Sequence, residues 1–287
     1  MLYLLLAIVC AATYSVLFKL FACRDVDSLQ AIAFNYLTAT ILGVVLSLGS
    51  GVEGGLVLGV GEWCLAAVMG VMFMAAFVLM ARSTALSGVA VTTVAARVSL
   101  IIPVVCSYLF LPNQMEPRWV AIGVVILALI MVIWTPAKGD AKDRKGGAGG
   151  VLLPLGVFLL FGANNFCLKW AQSGLSAEGA AAQLSAAIFL FAAVASGGYY
   201  LWSRRERRFS WQALGGGVVL GASNFFTTYF MFLGLESLPS GVFFPIYHIG
   251  IVALVTAVGL LLFGERLVAR QVLGLVVAAA GIVAFFV

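Results

Sequence analysis

Charged side chains are scarce. Asp, Glu, Lys and Arg make up 9% of the 287 residues, against about 25% in a typical water-soluble domain. That scarcity excludes an ordinary soluble globular chain. Histidine occurs once, which makes an intramembrane enzyme a poor reading, because such a site needs a nucleophile, a base and usually a metal or paired acids. No GxxxxGK[ST] loop is present, so energy from ATP through a P-loop is excluded. The cysteines at 10, 23, 64, 106 and 167 show neither CxxC nor His-Cys spacing. They read as small apolar packing residues, and neither a metal nor another cofactor is expected. The first twenty residues carry no charge before Lys19, unlike the basic start of a cleavable signal peptide, so the first apolar stretch is expected to stay.

What is abundant is apolar sequence, at 63%. Charge-poor windows recur at about the 20 residues a helix needs to cross roughly 30 Å of hydrocarbon. Ten such spans fit, at 1–20, 31–48, 63–81, 90–109, 119–134, 151–170, 177–201, 211–233, 242–263 and 268–287. A transmembrane barrel would show short alternating strands, and these runs do not alternate. Helices satisfy their own backbone hydrogen bonds in lipid, so the predicted fold class is an all-α membrane protein with ten transmembrane helices. The six tryptophans, at 63, 119, 134, 170, 202 and 211, fall at the ends of these spans, where indoles favour the headgroup level.

Twelve cations lie in alternate loops: Arg24, Arg82, Lys138, Lys142, Arg144, Lys145, Arg204, Arg205, Arg207, Arg208, Arg266 and Arg270. The opposite loops hold Arg118 alone. The positive-inside rule makes the first set cytoplasmic and both termini extracytoplasmic, in a multi-pass protein of the cell (inner) membrane. The net +5 is therefore a topological signal; no nucleic acid is expected as partner, and the lipid bilayer is.

The chain also repeats. Tyr14 to Lys19 precedes Asn164 to Lys169 by 150 residues, Ala66 and Gly70 precede Gly217 and Gly221 by 151, and Ser87-Gly88-Val89 precedes Ser240-Gly241-Val242 by 153. The repeats are predicted over 1–136 and 151–287, joined by a charged linker at 137–150. Five spans per repeat is odd, so the second copy enters the membrane in the opposite sense. Inverted repeats let many secondary transporters adopt two packings around a midplane site.

Polar groups inside lipid are costly, so their distribution marks the helices that face an interior. The fifth and tenth spans are almost bare from Val120 to Ile133 and Val272 to Val287, which suits lipid-facing or homodimer-packing roles. The fourth carries Thr93 and Arg97 one turn apart; Arg97 lies about 12 Å from the loop at 1.5 Å per residue. No Asp or Glu lies deep in any span, so the partner of Arg97 is a backbone carbonyl, a water, or a substrate carboxylate or phosphate. Asn165 and Lys169 are four apart in the sixth span, with Asn164 beside them, and Ser15 and Lys19 repeat the spacing in the first. Both lysines either line a cavity or snorkel to the headgroups. Asn224 and Thr228 share a face of the eighth span and read as cavity lining or as interhelical hydrogen bonds. The ninth contains Pro245, Tyr247 and His248; His248 is a proton-coupling candidate or a packing histidine, and Tyr14 and Tyr247 are candidates for stacking on substrate.

The ten spans, with Ser240-Gly241-Val242, Gly264-Glu265-Arg266, Gln271, Gly274 and Gly281 near the end and Gly162, Asn164 and Lys169 in the sixth span, resemble the EamA-like transporters of the drug/metabolite transporter superfamily. The first half departs from the pattern, with Ala12 where glycine is usual and Leu111-Pro112-Asn113-Gln114 in place of a short Gly-Glu turn. The resemblance implies two five-helix repeats around a central cavity. The expected function is secondary transport, in the sense of efflux, of a small polar or amphipathic metabolite such as an amino acid. The competing reading is a structural or lipid-handling membrane subunit without solute transport.

Overall fold

Among the described residues one predicted span is interrupted, just after Arg97, at Ser99 and Leu100. The computed structural model describes residues 1–24, 26–49, 58–87, 89–111, 119–133, 149–174, 180–202, 209–263, 273–274 and 276–277. Among them the chain forms α1 (Leu2–Cys23), α2 (Ser28–Gly49), α3 (Val60–Ser87), α4 (Val89–Val98), α5 (Ile101–Phe110), α6 (Trp119–Ile133), α7 (Gly149–Gly174), α8 (Ala180–Trp202), α9 (Trp211–Ser237) and α10 (Ser240–Phe263). Six of these are long and apolar enough to cross a membrane: α2, α3, α7, α8, α9 and α10. The protein is an all-helical, multi-pass membrane protein. Most of the predicted tenth span lies outside the described residues.

The predicted fourth span is two helices rather than one. Pro103 has no N–H to give the Ser99 carbonyl, and its ring crowds that carbonyl. Ile102 N–H donates to the Ser99 oxygen instead, at 3.0 Å, and Leu100 N–H donates to the Arg97 oxygen at 3.3 Å. These tighter i→i−3 bonds break the α pattern at Ser99 and Leu100. The Ser99 hydroxyl donates to the Ala96 carbonyl at 2.7 Å, so a freed acceptor at the end of α4 is satisfied without water. At the α1–α2 connection, Asp27 caps α2 by accepting from the Leu29 and Gln30 amides at 3.0 and 3.3 Å, the usual role of an N-cap carboxylate.

Contacts divide the chain into two units, Met1–Met74 with Ala171–Ser237, and Ala75–Trp170 with Leu238–Val287. Each takes helices from both halves of the sequence, so the spatial units and the sequence repeats partition the chain differently. In the first unit α2 packs against α8 and α9, and α1 against α9. Small residues let these backbones meet. A Cβ on Gly70 of α3 would lie 2.6 Å from the Ile188 carbonyl of α8, and one on Gly217 of α9 would lie 2.8 Å from the Ala31 carbonyl of α2. Gly43 of α2 sits against Ala186 of α8, where a Cβ would lie 2.6 Å from the Ala186 Cβ. Around these crossings Phe189 is fully buried, with its ring near Tyr36, Phe73 and Phe225 at centroid distances of 6.2, 5.9 and 6.2 Å.

In the second unit α4 packs on α6, and α10 on both α5 and α6. The Ser83 and Thr92 hydroxyls share a buried hydrogen bond of 2.6 Å that ties the end of α3 to α4. Gly162 of α7 faces Ile102 of α5, where a Cβ would fall 2.7 Å from the Ile102 Cβ, and Phe166 of α7 meets Phe110 of α5 at 6.2 Å between centroids. Helix α5 is thus held between α7 and α10, directly after the interruption that follows Arg97.

Candidate functional site

Among the described residues, most of the buried polar side-chain atoms without a hydrogen-bond partner lie in the second unit. Arg97 closes α4 and is half-buried. His248, on α10, is 2% exposed. Neither ring nitrogen of His248 has a hydrogen-bond partner; its ring packs edge-on against Tyr247 at 5.3 Å. A packing histidine in lipid would bond at least one nitrogen, since each buried group left unmade costs about 1–3 kcal/mol. On the same unit the Ser107 hydroxyl of α5, the Asn164 carbonyl oxygen of α7 and the Ser240 hydroxyl of α10 are buried without a hydrogen-bond partner. Ser240 and His248 are eight residues apart, two turns along one stripe of α10.

Lys169, on α7, is 6% exposed, so its side chain does not extend outward in the manner of a snorkelling lysine. Asn165 beside it is half-buried. Arg82, Arg97, Lys169 and His248 are the basic side chains among the described residues of this unit, and no Asp or Glu is found among them. Of these, Lys169 and His248 are buried, Arg97 is half-buried and Arg82 is exposed. No group of three or more His, Cys, Asp or Glu side chains able to hold a metal occurs among the described residues.

The other predicted site residues fall elsewhere. Tyr247 is buried and stacks on Phe243 at 5.8 Å. Asn224 and Thr228 belong to α9 in the first unit and are 5% and 2% exposed. Asn224 donates through Nδ2 to the Asn35 Oδ1 of α2 at 3.2 Å, the interhelical alternative to cavity lining. Tyr14 and Ser15 lie on α1 and Thr93 on α4; their side chains, with that of Lys19, are outside the described residues.

Two polar positions escaped sequence reasoning. Asn35 is fully buried and completes the amide pair with Asn224. Gln30 is 5% exposed; its Nε2 donates to the Tyr200 hydroxyl at 3.3 Å and its Oε1 accepts from the Ser210 amide at 2.9 Å. Both were visible as amides in the second apolar stretch, yet their partners are 170 to 189 residues away, beyond any local pattern.

Residues 1–135 match the EamA-like transporter family, the half whose motifs depart more from the pattern described above. That family belongs to the drug/metabolite transporter superfamily, which residues 1–135 are thus similar to. An uncharacterized protein of Haemophilus influenzae is 27% identical to this chain over 286 residues, covering 97% of this chain and 95% of that one. A solved crystal structure shares the fold, with a TM-score of 0.80 at 13% identity over 99% of this chain and 95% of the other.

Proposed function

We propose that this chain is a secondary transporter of the cell's inner membrane that exports a small polar or amphipathic metabolite, such as an amino acid, by alternating access. The observation that carries the reading is the presence of half-buried Arg97 and buried Lys169 and His248 in one helical unit whose described residues include no carboxylate. Charges inside a membrane protein are expensive and mark substrate or ion paths. In this reading Arg97 recognises an anionic or zwitterionic cargo, with Thr93, Tyr14, Ser15, Asn164, Asn165, Lys169, Asn224, Thr228 and Tyr247 as further substrate-contacting candidates. His248 carries the coupling proton, and its imidazole is suited to that near neutral pH.

Alternating access requires two packings of similar stability, which two inverted five-helix repeats with ten transmembrane helices would supply. Support comes from reciprocal contacts: Gly70 of α3 seats on α8, and Gly221 of α9, 151 residues later, seats on α2 at Asn35 and Thr38. An exchange of partners between the two repeats is what a two-fold relation produces.

The test compares metabolites in the medium of cells with and without the gene, then follows the differing solute in vesicles containing the purified protein. Loss of at least one anionic or zwitterionic metabolite from the medium of the deletion strain, and its flux into vesicles, is expected. No difference in the medium and no flux would defeat the reading.

A further inference from the structure

We propose that the first two turns of α10, with α5 packed beside them, hold a file of water molecules that carries protons from the helix end to His248. The inference rests on the transport reading, in which His248 takes up the coupling proton, and adds the route by which that proton arrives. Four buried side-chain atoms without a hydrogen-bond partner lie on these two helices: the Ser107 hydroxyl of α5, the Ser240 hydroxyl of α10 and both ring nitrogens of His248. The three residues are 1%, 2% and 2% exposed, and α5 and α10 pack on one another. Ser240 is the first residue of α10, and His248, eight residues on, lies about 12 Å deeper at 1.5 Å per residue. Between them Pro245 has no N–H to give the Gly241 carbonyl. Gly241, seven residues before His248, falls almost on the same side of the helix. Hydroxyl, carbonyl and imidazole thus follow one another along α10.

Other buried hydroxyls of the chain close back on their own helix: Ser185 and Thr227 each donate to the carbonyl four residues earlier, at 2.7 Å. Ser107 does not take up the Pro103 carbonyl in this way, and Ser240, opening its helix, has no carbonyl four residues earlier within it. The other helix packed on α10 is α6, whose only hydrogen-bonding side chain is that of Trp119. Water fits such a set, because it both donates and accepts and is held inside proteins by two to four polar partners. In the ten-span order predicted from the sequence, α5 and α10 run antiparallel, which would set Ser107, near the end of α5, beside the first turns of α10. The transfer conserves atoms. A proton arriving at the Ser240 end joins the first water, each water passes one of its own protons inward, and the last gives one to the lone pair of the unprotonated ring nitrogen. Imidazole becomes imidazolium, and no water is consumed. On the helices packed against α10 the titratable side chains are Cys106 and Tyr108 of α5, with none on α6; Tyr247 adjoins His248 on α10, and Arg82, Arg97 and Lys169 of the same unit lie on α3, α4 and α7.

Because the chain has one histidine, its ring nitrogens give NMR signals free of overlap. The full-length protein, labelled with 15N-histidine and purified without a histidine tag, is placed in lipid nanodiscs. Magnetisation transferred from water is expected to reach the ring nitrogens, and the ring N–H is expected to take up deuterium on transfer to D2O. Ser107→Val and Ser240→Val should slow that uptake about tenfold, the effect of losing one buried hydrogen bond. Ser107→Thr and Ser240→Thr, which keep a hydroxyl on the same shape, should exchange like the unmodified protein. Alanine replaces valine wherever the valine variant does not fold. A ring that receives no magnetisation from water, or valine and threonine variants that exchange alike, would overturn the route. Solute flux by a protein whose ring stays dry would defeat the route alone, while a water-exchanging ring in a protein that moves no solute would defeat the transport reading alone.

Discussion

At the residue scale, the polar side chains sort by whether a neighbouring helix completes them. Asn224 and Asn35 complete each other at 3.2 Å, so this pair contributes to helix association. Replacing Asn224 with Leu strands the Asn35 carbonyl oxygen, and a lowered thermal midpoint with a loss of about 1 kcal/mol is expected. Scanning fluorimetry of the purified variant checks it, and an unchanged midpoint would show that the bond contributes nothing. Arg97→Gln should reduce flux of an anionic cargo at least tenfold while membrane insertion and expression stay normal. Equal flux at equal expression would remove Arg97 from the cargo path.

At the scale of elements, two features stand out: glycine-mediated crossings and the broken fourth span. A side chain at Gly70 meets the backbone of α8, with the Ile188 oxygen at 2.6 Å and the Ala192 nitrogen at 2.8 Å from a new Cβ. Backbone cannot swing aside as a flexible side chain does. Gly70→Val should therefore destabilise by roughly 1–3 kcal/mol through overpacking. Gly61, at the start of the same helix, has open space around its Cβ position, and Gly61→Ala should leave the thermal midpoint nearly unchanged. Comparable losses in the two variants would refute the packing account. The interruption at Ser99 and Leu100 makes a different prediction. Pro103 sits in the first turn of α5, where proline is tolerated, so Pro103→Ala should shift stability by no more than about 1 kcal/mol. It restores an N–H that can rejoin α4 and α5 into one helix, and transport should fall if the break aligns Arg97 with α10. Full activity in this variant would show that the break is incidental.

At the scale of the whole molecule, the arginines and lysines in alternate loops predict the orientation. With the basic loops in the cytoplasm, a C-terminal alkaline phosphatase fusion should be active and a fluorescent-protein fusion dark, since that reporter matures in the cytoplasm. The reverse pattern would invert the topology. The same scale shows how far the sequence could be followed. Helix positions were legible because lipid imposes length and apolarity on every span: α1, α2 and α6 to α10 lie close to the predicted stretches. The division of the fourth span was not read, although Pro103 was visible, because a proline near a helix start bends some helices and merely begins others. Of the site, Arg97 and His248 were singled out as separate oddities, each an ion out of place in an apolar run. That both fall in one spatial unit was not legible, because nothing in local spacing relates residues 97 and 248.

Composition and hydropathy alone therefore determined that the chain is helical and membrane-embedded, because an unpaired backbone cannot be tolerated in hydrocarbon. Which polar residues meet was decided only by tertiary packing. Amides at 35 and 224 meet because α2 and α9 cross closely at glycines, and Arg97 and His248 fall in one unit because α4 and α10 both pack on α6. Interhelical contacts depend on the faces that helices turn toward each other, and in a uniformly apolar span the sequence carries little record of which face that is.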